Sequence, residues 1–579
     1  MGLNTGEPPR STETLVIGSG FGGSVVAARL AMAGREVALI ERGRAYAPGD
    51  FPRTPAGVAA NFWSPATQRY GMFDAWSFSG IDSIVSSGLG GGSLIYANVL
   101  LRKDESWFSQ PHPYQRGVAE HWAVSREDLD PHYDCVETFM DVQEMPWSHD
   151  EGSGFHIRKT AAMRDAARGR GEFHLAPLAV RFKDGDGNPA IGAELPKASY
   201  GNIHNSWRRT CRMLGECDVG CNEGAKSSLD HTYLSAASHH GASISVCTEA
   251  TSIARRADGR FEVEVRIHAP DDPDRPPQTA TITARRLVVA AGTYGSTYLM
   301  LANRDALGIT SPVLGTRYCG NGDLLGFWFD ADRPLQGSHG PVISSYVRYP
   351  DRADTGLVAD HGMYLEDAGY PQFAAWLAEM SEAGGQFKRV GEIAARRAWS
   401  QLTGRRRTRL GADIADVLGK AAVTEHALPI LGMGRDVPDG TLHLRDDPAG
   451  GDPVLDSTWS TRTSQHYFDR MHRNMRELGE ALGARFVVNP TYLLNRVVTV
   501  HPLGGCPMRT SVSPGFVDEF GRVDGVPGLR VCDGSVMPGP VGANPSLTIA
   551  AFADRVATDL LAEDVDAPAA SLAAVPAGA

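Results

Sequence analysis

The chain lacks any run of 18 or more apolar residues, the length a helix needs to cross a bilayer. Its opening, MGLNTGEPPRSTE, holds no apolar core of the kind that begins a secretory leader, so a cytoplasmic location is expected. Positive charge is scarce: 56 Lys and Arg stand against 68 Asp and Glu, a formal net charge of -12, which argues against a nucleic-acid partner. Cysteine is sparse too. Eight in 579 residues, without an export signal, speak against a disulfide framework. What is present is 42% hydrophobic and 21% charged content, the balance of a globular chain long enough for two or more domains.

The most informative stretch is Thr14 to Leu30. Leu15, Val16 and Ile17 read as a strand buried on both faces. Gly18, Gly20 and Gly23 follow in G-x-G-x-x-G spacing, then a helical run to Leu30. Such glycines allow a tight turn, close approach of backbone to a pyrophosphate, and close helix–strand packing. A second apolar run, Val37 to Ile40, ends in Glu41, an acceptor placed for a ribose hydroxyl. Together these predict a dinucleotide site. A second glycine-rich stretch, Gly88, Gly90, Gly91, Gly92 and Ser93, lies between apolar flanks and reads as a structured loop that can face phosphate. The irregular aromatic segment between Gly43 and Trp76 suits a cofactor cover.

Further along, Leu129-Asp130-Pro131 reads as a helix start capped by Asp130. Cys211, Cys217 and Cys221 are close enough in sequence to suggest a metal or iron–sulfur centre, although no fourth ligand is evident, so buried thiols are the favoured alternative. Leu287 to Val289 reads as another buried strand of the nucleotide sheet, far from the first in sequence. Between Ser381 and Leu410, eight Lys and Arg stand against two Glu with aromatic and aliphatic residues interleaved. That stretch suits a solvated helical insertion or contact with an anionic membrane surface. Near the C-terminus come His501-Pro502-Leu503-Gly504-Gly505-Cys506, and Asp533-Gly534-Ser535 leading to Asn544-Pro545 and a helix. Asp533 is the one acid of its turn and suits a ribityl hydroxyl; the helix N-terminus suits the electron-rich edge of a flavin.

These motifs resemble those of the glucose–methanol–choline (GMC) oxidoreductases, in particular the cholesterol oxidase branch. The likeness also rests on Gly224-Ala225-Lys226-Ser227-Ser228-Leu229-Asp230-His231-Thr232-Tyr233-Leu234. It spans nearly the whole chain in the family's order, and is poorest between about residues 330 and 480. The resemblance implies an α/β fold: a Rossmann-type FAD-binding domain assembled from discontinuous segments, and an α+β substrate domain of antiparallel sheet and helices. The expected division is 10–100, 205–330 and 490–562 for FAD; 101–204 and 331–489 for substrate, with a basic helical insertion near 371–420; and a disordered tail at 563–579. It implies FAD contacts at Gly18, Gly20, Gly23, Glu41, Gly88, Gly92, Ser93, Asn98, Ala250, Asp533 and Gly534.

The implied reaction is oxidation of an alcohol by hydride transfer to flavin N5, with His501 and Asn544 handling the hydroxyl. An imidazole can take up or hold a hydroxyl proton near neutral pH, and an amide can hold the hydroxyl oxygen. Sterol oxidases of this type use a further glutamate, and Glu425 is the expected base. The expected substrate is a bulky apolar alcohol, a 3β-hydroxysteroid in the first instance, with oxygen or another redox acceptor taking the electrons. The alternative is a dehydrogenase of another alcohol that uses an iron–sulfur centre at Cys211, Cys217 and Cys221, similar in spacing to cluster-bearing members of the superfamily.

Overall fold

The computed structural model describes residue 3 and residues 7–115, 117–272, 275–352, 360–371, 425–447 and 450–563. The basic stretch expected near 371–420 lies, from residue 372 onward, outside the described residues, as does the tail from 564.

Two sheets carry the fold. The first has seven strands. Ser243–Ser245, Val37–Ile40, Ser11–Ile17 and Gln278–Val289 run parallel in that order, with Leu15 opposite Ala38 on one side and Leu287 on the other. Leu529–Val531 adds in parallel to the far end of Gln278–Val289. The near half of that long strand pairs also with the antiparallel strand Phe261–Ile267, which in turn pairs with Thr248–Arg255. Its length lets one strand serve both arrangements. Leu15, Val16, Ile17 and all of Val37–Ile40 are buried, as central strands covered on both faces must be. The helix Phe21–Met32 is apolar nearly all round because it packs between helices Tyr233–His239 and Ser546–Glu563 and the sheet. Arg29, near its end, pairs with the buried Asp554, which also accepts from His132 Nδ1 at 2.7 Å. Segments from both ends of the chain and its middle thus share one core.

The second sheet has six antiparallel strands in the order Glu172–Leu175, Ser345–Tyr349, Met363–Asp367, Leu428–Gly434, Leu324–Phe329 and Arg485–Val488. Period-2 alternation gives its two faces different partners. Met363, Leu365 and Ile430 join the core beneath the helices Arg158–Ala167 and Gln465–Glu480. Tyr364, Leu431 and Met433 face the nucleotide-side core. This is the α/β architecture expected, with an antiparallel sheet and helices beside the nucleotide fold.

One helix start differs from expectation. The helix Arg126–Phe139 begins after Ser125, not at Asp130. Ser125 Oγ accepts from Asp128 N–H (3.1 Å) and Asp128 Oδ2 accepts from Ser125 N–H (2.8 Å), a reciprocal capping box that outcompetes the Asp-Pro signal. Pro131 sits inside the helix, leaving the Glu127 carbonyl without its usual donor.

Candidate active site

The two glycine-rich stretches meet above the parallel strands. Gly18 turns with φ +99°, and a Cβ there would lie 2.3 Å from Ala290 O. Ser19 Oγ accepts from Gly90 N–H (3.0 Å), and a Cβ on Gly91 would lie 2.6 Å from Gly20 Cα. Gly20 and Gly92 are different. Neither has a positive φ, and a Cβ on either would project into open space. Nothing in the polypeptide demands glycine there, and the bare backbone at both positions leaves room for a ligand to approach.

That space belongs to a cavity of about 820 Å³ running between the two sheets. Gly18, Gly20, Glu41, Gly92, Ala250, Asp533 and Gly534 line it. Gly23, Gly88, Ser93 and Asn98 shape it from behind: Gly23 packs the helix onto the turn, and Ser93 Oγ donates to Gly90 O at 2.7 Å. Val58, Phe62, Phe73 and Trp76, from the aromatic segment after Gly43, close one side. Glu41 is fixed by the turn, with Ser19 N–H (3.1 Å) and Oγ (2.6 Å) donating to Oε2 and Gly43 N–H (2.8 Å) to Oε1. The Asn98 amide is fully buried with neither end partnered among the described residues. An orphaned buried amide and a bare glycine cradle fit a dinucleotide. Asp533 is spent internally. It accepts from Gly292 N–H (2.9 Å), Ser296 Oγ (2.5 Å), Ser535 N–H (2.8 Å) and Ser535 Oγ (2.6 Å), so it braces the wall more than it offers a free acceptor.

His501 and Asn544 line the same cavity. Val497–Thr499 pairs with Ile81–Ser86, which ties the His501 segment to the strand leading into the second glycine loop. His501 Nδ1 lies 2.9 Å from Asp323 Oδ1. Asp323 is itself held by Thr499 Oγ1 (2.8 Å) and Val500 N–H (3.0 Å), both donating to Oδ2. The carboxylate accepts a hydrogen bond from Nδ1–H, leaving the Nε2 lone pair as the imidazole's free acceptor. The Asn544 loop is clamped on two sides. Lys103 Nζ donates to Pro540 O (2.8 Å) and Val541 O (3.1 Å); Asn321 accepts from Gly542 N–H (2.8 Å) and donates to Ala543 O (3.0 Å). The helix Ser546–Glu563 starts directly after, and Pro545, Ser546 and Ile549 line the cavity, so its positive end faces that space.

Glu425, the expected base, does not line this cavity. It is exposed on a turn, where its backbone carbonyl accepts from Leu335 N–H (2.6 Å) and Gln336 N–H (3.0 Å). The glutamate beside Asn544 is Glu366, in the strand Met363–Asp367 and completely buried. The Asn544 amide favours its ionised form without reaching good hydrogen-bond geometry with either carboxylate oxygen. Burial dominates and pushes the carboxyl up to about 8. Its neighbour Asp367 points to the other face and is saturated by Ser344, Ser345 and Lys159. Adjacent acids on one strand thus have opposite environments. Sequence reading missed Glu366, Asp323 and Asn321. The available signal was acids embedded in strongly apolar runs, Met363-Tyr364-Leu365-Glu366-Asp367 and Asp323-Leu324-Leu325.

The three clustered thiols are not gathered closely enough to hold a single metal ion. Among the described residues the one converging group of His, Cys, Asp or Glu is His204, Asp230 and His231. Cys211 is buried and Cys217 and Cys221 are partly so, and burial raises the Cys211 and Cys217 thiols above their ordinary pKa.

A nucleotide-sized cavity above a parallel sheet, ending at an oriented imidazole and an amide, defines a dinucleotide-dependent oxidoreductase. Family models described as GMC oxidoreductase match residues 12–304 and 436–553. The chain belongs to the GMC oxidoreductases: it is an enzyme that acts on alcohols, and its cofactor is FAD. It is 29% identical to a cholesterol oxidase of Mycobacterium tuberculosis (strain CDC 1551 / Oshkosh), covering 94% of this chain and 90% of that one. It is 26% identical to a 6'''-hydroxyparomomycin C oxidase of Streptomyces lividus over 96% of this chain and 92% of that protein. Its fold matches a formate oxidase of Aspergillus oryzae RIB40 with TM-score 0.57 at 13% identity, covering 97% of this chain and 100% of that one. Among the described residues no helix is long and apolar enough to cross a membrane.

Proposed function

We propose that the enzyme oxidises the CH–OH group of a bulky, largely apolar alcohol, a 3β-hydroxysterol in the first instance. The observation that carries the site assignment is the Asp323–His501 pair facing the same cavity as Asn544. FAD, when bound, supplies the acceptor for the hydride lost from the carbinol carbon. His501 Nε2 takes up or holds the hydroxyl proton, and Asp323 fixes the tautomer that makes this atom an acceptor. The Asn544 amide holds the hydroxyl oxygen. Glu366, next to Asn544 and without a firm partner, is the carboxyl suited to move a second proton. Gly18, Gly20, Glu41, Gly92, Asn98, Ala250 and Gly534 hold the cofactor.

The apolar character of the substrate is supported by the walls beyond His501, where Leu325, Val342, Ile343, Tyr370 and Leu431 dominate. Oxygen is proposed as the electron acceptor, the simplest route where no second redox centre takes part. A cytoplasmic location is proposed, with the basic stretch between Ser381 and Leu410 read as a solvated insertion and contact with an anionic membrane surface as its alternative. Anaerobic mixing with a 3β-hydroxysterol, a long-chain alcohol and a sugar tests the reading. Bleaching of the flavin by the sterol, with peroxide formed on admission of air, is expected. Bleaching by sugars alone would overturn the apolar assignment, and reoxidation by quinone but not by oxygen would favour a dehydrogenase.

A further inference from the structure

One charged group on the cavity wall has no part in this chemistry. Asp218 lies in the single turn Cys217–Val219, between Ile95–Tyr96 and Val342–Ile343, all of which line the cavity. The turn is held from outside. Glu216 pairs with Arg53 at 2.7 Å, Arg53 donates to Gly220 O at 2.9 Å, and Gly215 N–H donates to Gly340 O at 2.9 Å. Asp218 itself has no hydrogen-bond or ion-pair partner among the described residues, and its exposure is to the cavity it lines. Burial lifts its carboxyl to about 6, which leaves it ionised at neutral pH.

The two cations that act on it, Lys226 and Lys159, have no donor to spare. Lys226 Nζ donates to Leu94 O (3.0 Å), Tyr96 O (3.0 Å) and Cys217 O (2.9 Å). Lys159 Nζ donates to Val342 O (3.0 Å), Ser344 Oγ (3.0 Å) and Asp367 O (2.9 Å). An ammonium has three N–H groups, and all are used. A carboxylate on an apolar wall without a donor is costly, and such a group in a binding cavity marks a contact that the ligand completes. Charge balance selects the kind of donor. Asp367 already neutralises Lys159 at 3.2 Å, and Asp218, together with Asp230, acts on Lys226 as a through-space counter-charge. A ligand cation would leave an excess positive charge; a neutral O–H would not.

We propose that Asp218 accepts a hydrogen bond from a second hydroxyl of the substrate, so that the physiological alcohol is a diol or polyhydroxylated compound with a largely apolar body. One hydroxyl is oxidised at His501 and the other anchors at Asp218. This rests on the alcohol-oxidation reading above.

The test compares α,ω-diols of about four to ten carbons with their mono-methyl ethers, which match in size but cannot donate from the far end. The wild-type enzyme is expected to prefer the diol by about tenfold or more in kcat/KM at one optimal length, the difference lying in KM. In Asp218→Asn, whose amide can donate to the ether, and in Asp218→Ala, the preference falls to about the statistical factor of two. Equal rates for diol and ether at every length overturn the proposal, as does a preference that survives both variants. Tighter binding of an ω-amino alcohol than of the diol overturns the neutral-donor assignment. The same ratios in Kd, read from the flavin spectrum of His501→Ala protein, test Asp218 without turnover. If no alcohol bleaches the wild-type flavin while the Kd ratios behave as expected, the oxidation reading fails and the Asp218 contact stands.

Discussion

Asp323 and His501 form a 2.9 Å contact in which a nearly fully buried carboxylate, anchored by Thr499 and Val500, sets the orientation of a cavity-lining imidazole. Asp323→Asn presents an amide that can donate to Nδ1 and so favours the opposite tautomer. The rate of anaerobic flavin reduction should fall about 10²–10⁴-fold with flavin content retained. Stopped-flow absorbance checks this, and an unchanged rate would remove Asp323 from the mechanism.

Glu366 makes stability depend on pH in the reverse of the usual carboxylate sense. Its folded-state pKa, about 8, lies above its ordinary value, so between roughly pH 4.5 and 8 the native state holds a proton that the unfolded chain has lost. Stability therefore falls as pH rises through that window, and the penalty, on the order of 5 kcal/mol as an upper bound, is complete above it. Glu366→Gln should raise the Tm at pH 8 to 9, leave it little changed near pH 4, and lower the activity. A variant no more stable than wild type at pH 9 would contradict the burial argument.

Gly20 and Gly92 have room for a methyl group and ordinary backbone angles. Gly20→Ala and Gly92→Ala should therefore fold with near wild-type far-UV circular dichroism, yet bind FAD at least tenfold more weakly, since each methyl enters the cavity. Fluorescence titration of apoprotein with FAD measures this, and unaltered affinity would place the cofactor elsewhere.

Glu425 stands on the surface and should be dispensable. Glu425→Gln is expected to keep kcat within about twofold of wild type. A hundredfold loss would restore it as the base.

The nucleotide half of this enzyme was legible because its signals are local. Gly18 to Gly23, the apolar strands and Glu41 follow one another within a few turns of chain, and the structure assembles them as read. His501 and Asn544 stand out in the sequence through the motifs around them, and the structure brings both to one cavity. Glu366 does not stand out, because a strand acid becomes special only through burial and the approach of Asn544, some 180 positions away in sequence. Asp323 was hidden for the same reason: its role exists only once Val497–Thr499 is paired and His501 turns toward it. The helix start at Ser125 was missed because a reciprocal capping box overrode a nearby Asp-Pro signal. Glu425 stands out only by its place in the chain, and sequence position alone carries no information about which face of a sheet a carboxyl occupies.

The most direct measurement is anaerobic flavin absorbance on mixing the purified enzyme with alcohols, in wild type and in His501→Ala. The account predicts that a bulky alcohol bleaches the wild-type flavin, and that His501→Ala keeps its flavin but bleaches at least a hundredfold more slowly. A flavin that stays oxidised with every alcohol, or that bleaches equally fast without the imidazole, would contradict it.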